Sequence, residues 1–402
     1  MTDLALKPAH VPDELVRDFD FYNLPGSDQD IQSAYRDAQL AYPAIFWTPR
    51  NGGHWVATRA EDIVVMQRDF ARFSQREVTI PSMPEGFPVQ IPIELDPPIH
   101  GQYRRTLVQA LTPAKLRELE DVVQQTAAQT AERLVSRGEC EFIEDFSKVL
   151  PIHVFLSMVD LPIADKSILL PLAEISVRSP DGNERLRAQR EMGAYLLDWV
   201  VARRERPGDD LLSQLVNTHV NGERISVEEA VNYATLVLFG GLDTVAGMIG
   251  LIAKFLAEHE DMRRLLVKNI DDEQFLKSAI EELIRRHGIS NTARVVIDDM
   301  EYKGVFFKQG DKVLPPNLLV GMDDSVNADP LVVDFKREKP VHGAFGNGAH
   351  ACPGAMLARR EIRAFLREWL KRIPDFRVKP GTTPRLVTGQ VNGILELHLV
   401  WR

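Results

Sequence analysis

The chain has 402 residues, of which 44% are hydrophobic and 26% are charged, and its formal net charge is -10 at pH 7. This composition excludes a disordered chain, and the negative charge argues against general affinity for nucleic acid or anionic lipid, which require a basic surface. Two cysteines cannot build a disulfide framework and fit a reducing cytoplasm.

The beginning and the organisation of the chain give two further expectations. Residues 1–23 contain acidic residues and prolines where a secretory signal needs a basic end and an apolar run, so we expect a cytoplasmic protein. Neither a low-complexity linker nor a repeat of fixed period divides the sequence. We therefore expect one domain that spans residues 1–402.

In chain order, the first clear elements are a hairpin and a helix. Asn-Gly-Gly lies between two segments rich in aromatic and β-branched residues and predicts a hairpin over Trp47–Thr58. Thr112 as the cap and Pro113 in the first turn predict the start of an amphipathic helix, which Gly138 ends.

A long apolar segment follows near the middle of the chain. Ser226 and Glu229 form a capping-box pattern at its start. Residues 234–257 approach the roughly 20 apolar residues that a membrane span needs. Asp243 and Lys254 would be costly in lipid, so the sequence predicts a long helix that crosses the protein core.

The last third of the chain combines helices with short strands. Apolar spacing predicts helices over residues 272–287 and 355–372, and strands over residues 294–297, 302–307 and 312–314. Together with the earlier elements, they predict a mainly α fold with small antiparallel β-sheets.

The strongest functional signal is the segment FGNGAHACPG at residues 345–354, which directly precedes the last predicted helix. Its glycines allow tight curvature that brings amide N–H groups close to a sulfur, and the N-terminus of the following helix favours an anion. The segment therefore predicts a stabilised thiolate at Cys352.

Other interpretations of this segment fit less well. A lone cysteine is most often a small buried apolar residue. A phosphate-binding turn would need a preceding apolar strand, and zinc would need four ligands where His350 and Cys352 provide two. Covalent c-type haem attachment would need a second cysteine and an adjacent histidine.

The segment resembles the haem-ligand loop of the cytochrome P450 family, with Phe, Gly, a basic residue, Cys and Gly in their places. The resemblance implies that haem b is the cofactor and that Cys352 is the axial ligand of its iron, whose electron donation favours O–O cleavage. It also implies that His350 bonds a haem propionate and that Phe345, Gly346 and Gly354 contact the haem. The haem is then expected between the long central helix and the Cys352 loop.

Two further segments resemble the family. In EELIRR, Glu282 and Arg285 share a helical face, and the resemblance implies a buried structural ion pair in place of the usual solvated one. In GGLDT, two glycines cost helix stability, which close helix packing would also explain. The resemblance implies an oxygen-binding groove in which Gly240 makes room, while Asp243 and Thr244 relay protons for the splitting of dioxygen.

The two propionates of a haem need cationic partners. In DPPIHGQYR, His100 and Arg104 lie four residues apart on one helical face, and the resemblance implies that both bind propionate. Arg294, which opens a strand after the Glu282 helix, matches another propionate-binding arginine of the family.

The resemblance covers nearly the whole chain and is most pronounced with the camphor-hydroxylating bacterial members, in segments such as VPDELVRDFDFYN, LARREI and LKRIPDF. Those members receive electrons singly from a [2Fe-2S] ferredoxin served by an NADH-dependent ferredoxin reductase. This chain shows no flavin or nicotinamide domain, so it is expected to need both partners. The ferredoxin is expected on the Cys352 side, with Arg104 as a contact.

One departure concerns the substrate. Where the camphor-hydroxylating members carry a tyrosine that donates a hydrogen bond to the substrate ketone, this chain has Pro88, so that donor is lost. Bulky Phe239 and polar Gln390 also alter the pocket, and we expect a terpenoid larger or more extended than camphor, such as an ionone-type norisoprenoid. The matching wall positions are Ile93, Leu236, Phe239, Ser290, Thr292, Gln390 and Val391.

The sequence therefore predicts a haem-thiolate monooxygenase that hydroxylates an unactivated C–H bond with O₂ and two electrons. Two alternatives stay open, namely oxygenation driven by peroxide and a non-catalytic haem-thiolate sensor of gas or ligand. The pair of Asp243 and Thr244 argues against the first alternative, and the lack of a visible output module argues against the second.

Overall fold

The structure is a computed structural model that describes residues 4–402; the part of the export interpretation that falls on residues 1–3 lies outside the described residues. Helices make up most of the regular structure. They are α1 Ile31–Ala41, α2 Ala60–Arg68, α3 Ile99–Ala110, α4 Pro113–Glu118, α5 Glu120–Val135, α6 Val149–Val159, α7 Lys166–Arg178, α8 Gly182–Glu205, α9 Leu211–Val216, α10 Val227–Leu242, α11 Thr244–Glu258, α12 Glu260–Lys268, α13 Glu273–Arg286, α14 Asn317–Gly321 and α15 Ala355–Arg372.

Short strands form several small sheets, the largest of which has the order β1-β2-β10-β7-β3. The strands are β1 Ile45–Thr48, β2 His54–Ala57, β3 Phe73–Ser74, β4 Glu139–Glu141, β5 His219–Val220, β6 Glu223–Arg224, β7 Arg294–Val296, β8 Met300–Tyr302, β9 Val305–Phe307, β10 Lys312–Leu314, β11 Phe376–Val378, β12 Arg385–Val387, β13 Gly393–Glu396 and β14 His398–Trp401. The predicted fold class, mainly α with small sheets, is confirmed.

The sheets differ from the sequence-based expectation in two details. The predicted hairpin is present, with β1 antiparallel to β2 and Trp47 opposite Trp55, but β2 and β10 pair in parallel, so the largest sheet is mixed. The strand predicted over residues 302–307 is instead the hairpin of β8 and β9. Its turn residues Lys303 and Gly304 have φ of 51° and 78°, a left-handed conformation that ends the first strand.

The helix predicted from Thr112 begins as expected but is interrupted. The Thr112 hydroxyl accepts a hydrogen bond from the amide of Lys115, and Pro113 occupies the first turn. The chain leaves the helix at Leu119 between α4 and α5. Because apolar side chains continue at helical spacing across this break, the sequence pattern did not reveal it.

The helices α10 and α11 together form the predicted segment that crosses the core. The Ser226 hydroxyl accepts a hydrogen bond from the Glu229 amide at 3.1 Å, and the Glu229 carboxylate accepts one from the Ser226 amide at 2.7 Å. The combined stretch Val227–Glu258 is long and apolar enough to cross a bilayer, but 67% of its most apolar window is buried inside the protein. At Asp243, between the two helices, φ is -122° and ψ is -33°.

The helix α15 directly follows the Cys352 loop, and an aromatic cluster fixes its position. Trp369 packs edge-on against Phe142 and Phe146, with ring centroids 4.9 and 5.2 Å apart. Phe365 contacts the same two rings. Aromatic pairs of this kind contribute about 0.5–1.5 kcal/mol each beyond the area they bury. The cluster therefore holds the helix at whose N-terminal end Cys352 lies.

Glu282 and Arg285 form an ion pair in the core, with side chains 1% and 0% exposed. The Nε and Nη2 atoms of Arg285 donate to the two carboxylate oxygens of Glu282 at 2.7 and 2.8 Å, and Arg337 donates to the same carboxylate. Arg285 also donates to the carbonyls of Gly321 and Pro330. The pair thus ties α13 to the segment around and after α14.

We expect Glu282→Ala to lower the free energy of unfolding by about 3–5 kcal/mol, because it leaves Arg285 buried without its carboxylate. Glu191→Ala is the control, since it removes an exposed pair with Arg187 and should change stability by less than about 1 kcal/mol. Urea unfolding of the holoprotein, followed by circular dichroism, measures both. Equal losses in the two variants would contradict a structural role for the pair.

Candidate functional site

A cavity of about 390 Å³ lies between the α10–α11 segment, the Cys352 loop and the start of α15. Asp243 is not on its wall, and Glu282 and Arg285 lie in the core network described above. The other residues that the sequence assigns to the haem, the proton relay and the substrate wall all line it. They are His100, Arg104, Gly240, Thr244, Arg294, Phe345, Gly346, His350, Cys352 and Gly354, together with Ile93, Leu236, Phe239, Ser290, Thr292, Gln390 and Val391.

Two glycines give the Cys352 loop its curvature. Gly346 and Gly348 have φ of 70° and 74°, in the left-handed region that side chains rarely tolerate. At Gly348 a Cβ atom would also lie 3.1 Å from the Cα atom of Arg68. The amide of Cys352 donates to the carbonyl of Phe345 at 2.7 Å and closes the loop. Cys352 lines the cavity, so a ligand in the cavity can reach its side chain.

The Cys352 sulfur faces the cavity on one side and is surrounded by protein on the others, so opposing effects act on its pKa. Burial raises the pKa of this thiol above its usual value, although the amides of Gly354 and Ala355 and the charges of Arg104 and Arg359 lower it. The amides and cations around Cys352 therefore favour the thiolate, as the sequence predicts, while desolvation opposes it. A coordinated metal ion would reverse that balance, since a coordinating thiol is deprotonated.

Imidazole and guanidinium groups cluster beside the Cys352 loop. The rings of His100 and His350 lie 3.9 Å apart, and the amide of Gln75 is within hydrogen-bond distance of both His350 and the buried Arg294. Burial, with neighbouring positive charges, lowers the pKa of His350 to about 3 and that of His100 to about 4. Burial also lowers the pKa of Arg294.

This cluster has no ion-pair partner among the carboxylates of residues 4–402. Arg104, which belongs to it, donates instead to the carbonyl of Ala351 in the loop. Positive charge that is not paired with a protein carboxylate, on the wall of a cavity, suits an anionic ligand. Bidentate guanidinium contacts suit carboxylates in particular.

The helix break at Asp243 shapes the cavity wall opposite the Cys352 loop. The Thr244 hydroxyl donates to the carbonyl of Gly240 at 2.8 Å. A Cβ atom on Gly240 would meet nothing within 4 Å, whereas one on Gly241 would lie 2.3 Å from the ring of Phe155. The two glycines therefore serve different needs: Gly240 leaves space in the cavity, and Gly241 permits close helix packing.

Asp243 is turned away from the cavity and paired with Arg178 at the end of α7. The Nη1 and Nη2 atoms of Arg178 lie 2.8 and 2.6 Å from the two carboxylate oxygens. The side chains are 3% exposed for Asp243 and 9% exposed for Arg178. Thr244 lines the cavity and Asp243 does not, so the predicted acid–alcohol pair faces two different environments.

On the substrate side, polar groups are few, and most of them form hydrogen bonds with other protein groups. The Ser290 hydroxyl accepts a hydrogen bond from Asn317 at 2.7 Å, and the Thr292 hydroxyl accepts one from Arg294 at 3.2 Å. Pro88 itself does not line the cavity, although its neighbours at positions 87 and 90 do.

Sequence reasoning missed several charged or polar residues of the site, chiefly Gln75, Arg178, Arg185 and Glu361. Glu361 on α15 is buried, and this burial raises its pKa to about 8. In the sequence these residues look like ordinary surface charges and amides of helices and loops. Only an apolar environment distinguishes them, and that environment comes from segments distant in the chain.

The wall of the cavity fits a haem with two propionates. Cys352 provides a sulfur ligand, and Arg104, Arg294 and the two histidines provide cationic or N–H partners that lack protein carboxylates. Gly240 leaves side-chain-sized space on the α10 wall of the cavity. Apolar residues of α10, α11 and α15 complete a surface suited to a porphyrin face, among them Leu236, Val245, Met248 and Leu357.

Comparisons with known proteins agree with this fit. The family model for cytochrome P450 matches residues 184–397. The chain is 34% identical to a probable cytochrome P450 127A1 of Sinorhizobium fredii, covering 100% of both chains. It is 28% identical to nocardicin C N-oxygenase of Nocardia uniformis, covering 92% of this chain and 96% of that protein.

Solved structures extend the agreement to three dimensions. The crystal structure of CYP101J2 matches with a TM-score of 0.90 and 36% identity, covering 99% of this chain and 100% of that one. The crystal structure of CYP101C1 matches with a TM-score of 0.88, 36% identity and the same coverage. The chain therefore belongs to the cytochrome P450 family and is an oxidoreductase whose cofactor is haem b.

Proposed function

We propose that this P450 hydroxylates an unactivated C–H bond of a small hydrophobic terpenoid, with an ionone-type norisoprenoid favoured over camphor. One observation carries the proposal: Cys352 and Thr244 share a cavity whose remaining wall is largely apolar. Such a cavity binds a hydrocarbon skeleton through its walls. In the reaction, one atom of O₂ enters the substrate as a hydroxyl group and the other leaves as water, which consumes two electrons and two protons.

Haem b, when bound, supplies the reduction of dioxygen and the oxidising power for C–H cleavage. We assign the binding of its iron to Cys352 and that of its propionates to His100, Arg104, Arg294 and His350. These residues supply the positive charge and N–H donors that two carboxylates need in a desolvated site. Phe345, Gly346, Gly354 and Gly240 would shape the space on either side of the ring.

Thr244 and Asp243 are the proposed proton-transfer pair. Thr244 lies in the cavity and can hold a proton at Oγ1, where its hydroxyl already donates to Gly240. Asp243 is bound to Arg178, so it can pass protons from bulk water only when this contact opens or when water reaches it. Restricting protons in this way limits the diversion of electrons to peroxide.

The walls of the cavity support the substrate proposal. The bulky ring of Phe239 narrows the cavity on the side formed by α10. Pro88 offers no hydrogen-bond donor for a small ketone. Ile93, Leu236 and Val391 line the cavity from different segments of the chain. A longer substrate skeleton can contact all three at once. We therefore favour an extended terpenoid over the compact camphor.

P450 chemistry requires O₂ and a source of electrons. We propose a [2Fe-2S] ferredoxin with an NADH-dependent ferredoxin reductase, docking on the Cys352 side with Arg104 as a contact. The similarity to CYP101J2 and CYP101C1 over nearly the whole chain supports a CYP101-like electron-transfer system. We also propose that residues 1–402 form one domain that works in the cytoplasm.

The CO-bound, dithionite-reduced holoprotein is expected to show a strongly red-shifted Soret band, the mark of thiolate ligation to the iron. Cys352→His should abolish this shift, because an imidazole donates less charge to iron. Cys140→Ala is the matched control, since Cys140 is buried in β4 and does not line the cavity. A wild-type band typical of histidine ligation would overturn the assignment of Cys352.

Ionones are expected to bind the ferric holoprotein at least about tenfold more tightly than camphor, a difference of about 1.4 kcal/mol. Titration of the haem spectrum gives both dissociation constants. With ferredoxin, reductase and NADH present, mass spectrometry should then detect a hydroxylated ionone. A full spectral shift with camphor and none with ionones would refute the substrate class, and binding without any NADH-dependent product would favour a sensor.

Thr244→Ala is expected to lower the yield of product per NADH at least about tenfold and to raise peroxide formation, because it removes the proton-bearing hydroxyl. Thr244→Ser keeps the hydroxyl and should stay near the wild-type yield. Product and peroxide are measured in the same reactions. An unchanged yield in Thr244→Ala, together with efficient turnover by peroxide without ferredoxin, would favour the peroxide-driven alternative.

A further inference from the structure

Arg185 is a buried cation on the wall of the cavity, in the first turn of α8, and is 1% exposed. Its Nε atom donates to the carbonyl of Ser179 at 2.6 Å, Nη1 to the side-chain oxygen of Gln390 at 2.6 Å, and Nη2 to the hydroxyl of Tyr22 at 3.1 Å. All three acceptors are neutral. Because a guanidinium has five N–H donors, two of them are left for a ligand.

Most other buried arginines of the described chain differ from Arg185, because they pair with a carboxylate. Within the described part of the chain, the buried arginines without a carboxylate partner are Arg185 and Arg294, and both line the cavity. Arg294 belongs to the cluster that fits the haem propionates, whereas Arg185 contacts Gln390 on the substrate side. The remaining pairs are Arg36 with Asp324, Arg263 with Asp375, Arg285 with Glu282 and Arg286 with Asp30.

Burial of an unpaired guanidinium is energetically unfavourable. Burial lowers the pKa of Arg185, and the neighbouring Tyr22 only partly offsets this. Hydrogen bonds from a charged donor are stronger than those between neutral groups, and more so away from water. A ligand oxygen beside Arg185 would recover part of the lost solvation, which an apolar ligand cannot do.

Other donors on the substrate side are weaker candidates. Pro88 has none, and the side-chain amide of Gln90 donates to the carbonyl of Pro88 at 3.2 Å. The buried hydroxyl of Thr79 lines the cavity and has no hydrogen-bond partner within residues 4–402. It is uncharged, however, so Arg185 offers the stronger bond to an acceptor.

We propose that Arg185 binds an acceptor oxygen of the substrate and thereby fixes which C–H bond is hydroxylated. The substrate is then an apolar skeleton with a ketone or carboxylate oxygen at the end that contacts Arg185. This inference rests on the proposed function for its favoured ligand, since an ionone-type norisoprenoid carries a ketone. Arg185 takes the place of the donor that is lost at Pro88, but from α8.

The test compares ligands of one carbon skeleton in titrations of the ferric holoprotein. The probes are β-ionone, its hydrocarbon with CH₂ in place of the carbonyl, and the acid with a carboxyl in place of the acetyl group. Camphor with bornane and dodecanoic acid with dodecane form two further sets. Arg185→Met keeps the apolar stem, Arg185→Lys keeps a cation, and Arg187→Met is the exposed control two residues further along α8.

We expect Arg185→Met to weaken binding of the oxygenated probe at least about tenfold and that of its hydrocarbon less than about twofold. Arg185→Lys should be intermediate, and Arg187→Met should match the wild type. As a second measurement, the hydroxylated products of Arg185→Met should be distributed over more positions than those of the wild type. Tighter wild-type binding of β-ionone identifies a ketone, and tighter binding of the acid identifies a carboxylate.

Equal losses of affinity for the oxygenated probe and its hydrocarbon in Arg185→Met would overturn the inference. The same holds for a loss of affinity for the oxygenated probe that Thr79→Val shows and Arg185→Met does not. A wild-type protein that binds no oxygenated probe of any set better than its hydrocarbon would also overturn the inference. If the ionone set fails to bind while Arg185→Met discriminates within another set, the ionone proposal fails and the role of Arg185 stands. The CO spectrum and melting temperature of each variant establish that it is intact.

Discussion

A charge that leaves water inside a protein needs a partner, and the architecture around this haem site depends on that constraint. Glu282 and Arg285 meet it within the protein, and their pair joins α13 to the segment after α14. Arg294 and Arg185 have no carboxylate partner within the described chain, and both face the cavity. The same rule that stabilises the core therefore marks the places where ligands complete the structure.

Asp243 and Arg178 stand between these two cases. The ion pair is almost fully buried, yet it lies one residue from Thr244, whose hydroxyl faces the cavity. In the proposed mechanism, a closed pair keeps water from the site and an open pair admits it. The two residues lie at the break between α10 and α11, where the backbone of Asp243 departs from helical geometry.

The glycines before this break show why one motif can serve packing and function together. Gly241 is required by the ring of Phe155, which comes from α6, while Gly240 borders open space in the cavity. Close packing and an oxygen-binding groove were alternatives in the sequence. In the structure, close packing explains Gly241, and Gly240 leaves the open space that an oxygen-binding groove would need.

Local features were largely predictable. The hairpin of β1 and β2, the capping box at Ser226 and the bounds of α15 follow from residue types at short spacing. The curvature of the Cys352 loop followed for the same reason, since glycines permit the left-handed backbone that Gly346 and Gly348 adopt. The break at Leu119 and the turn at Lys303 were missed because their residue types do not exclude a continuing helix or strand.

The sequence by itself determined the family, the fold class and most residues on the cavity wall around Cys352, because these are carried by short motifs whose geometry is local. Only the tertiary structure decided which charges are buried and what they contact. Arg178 meets Asp243 across 65 residues, and Arg185 meets Gln390 across 205 residues. A solvated arginine and a buried one are identical in a sequence, and they differ only in the segments that pack around them.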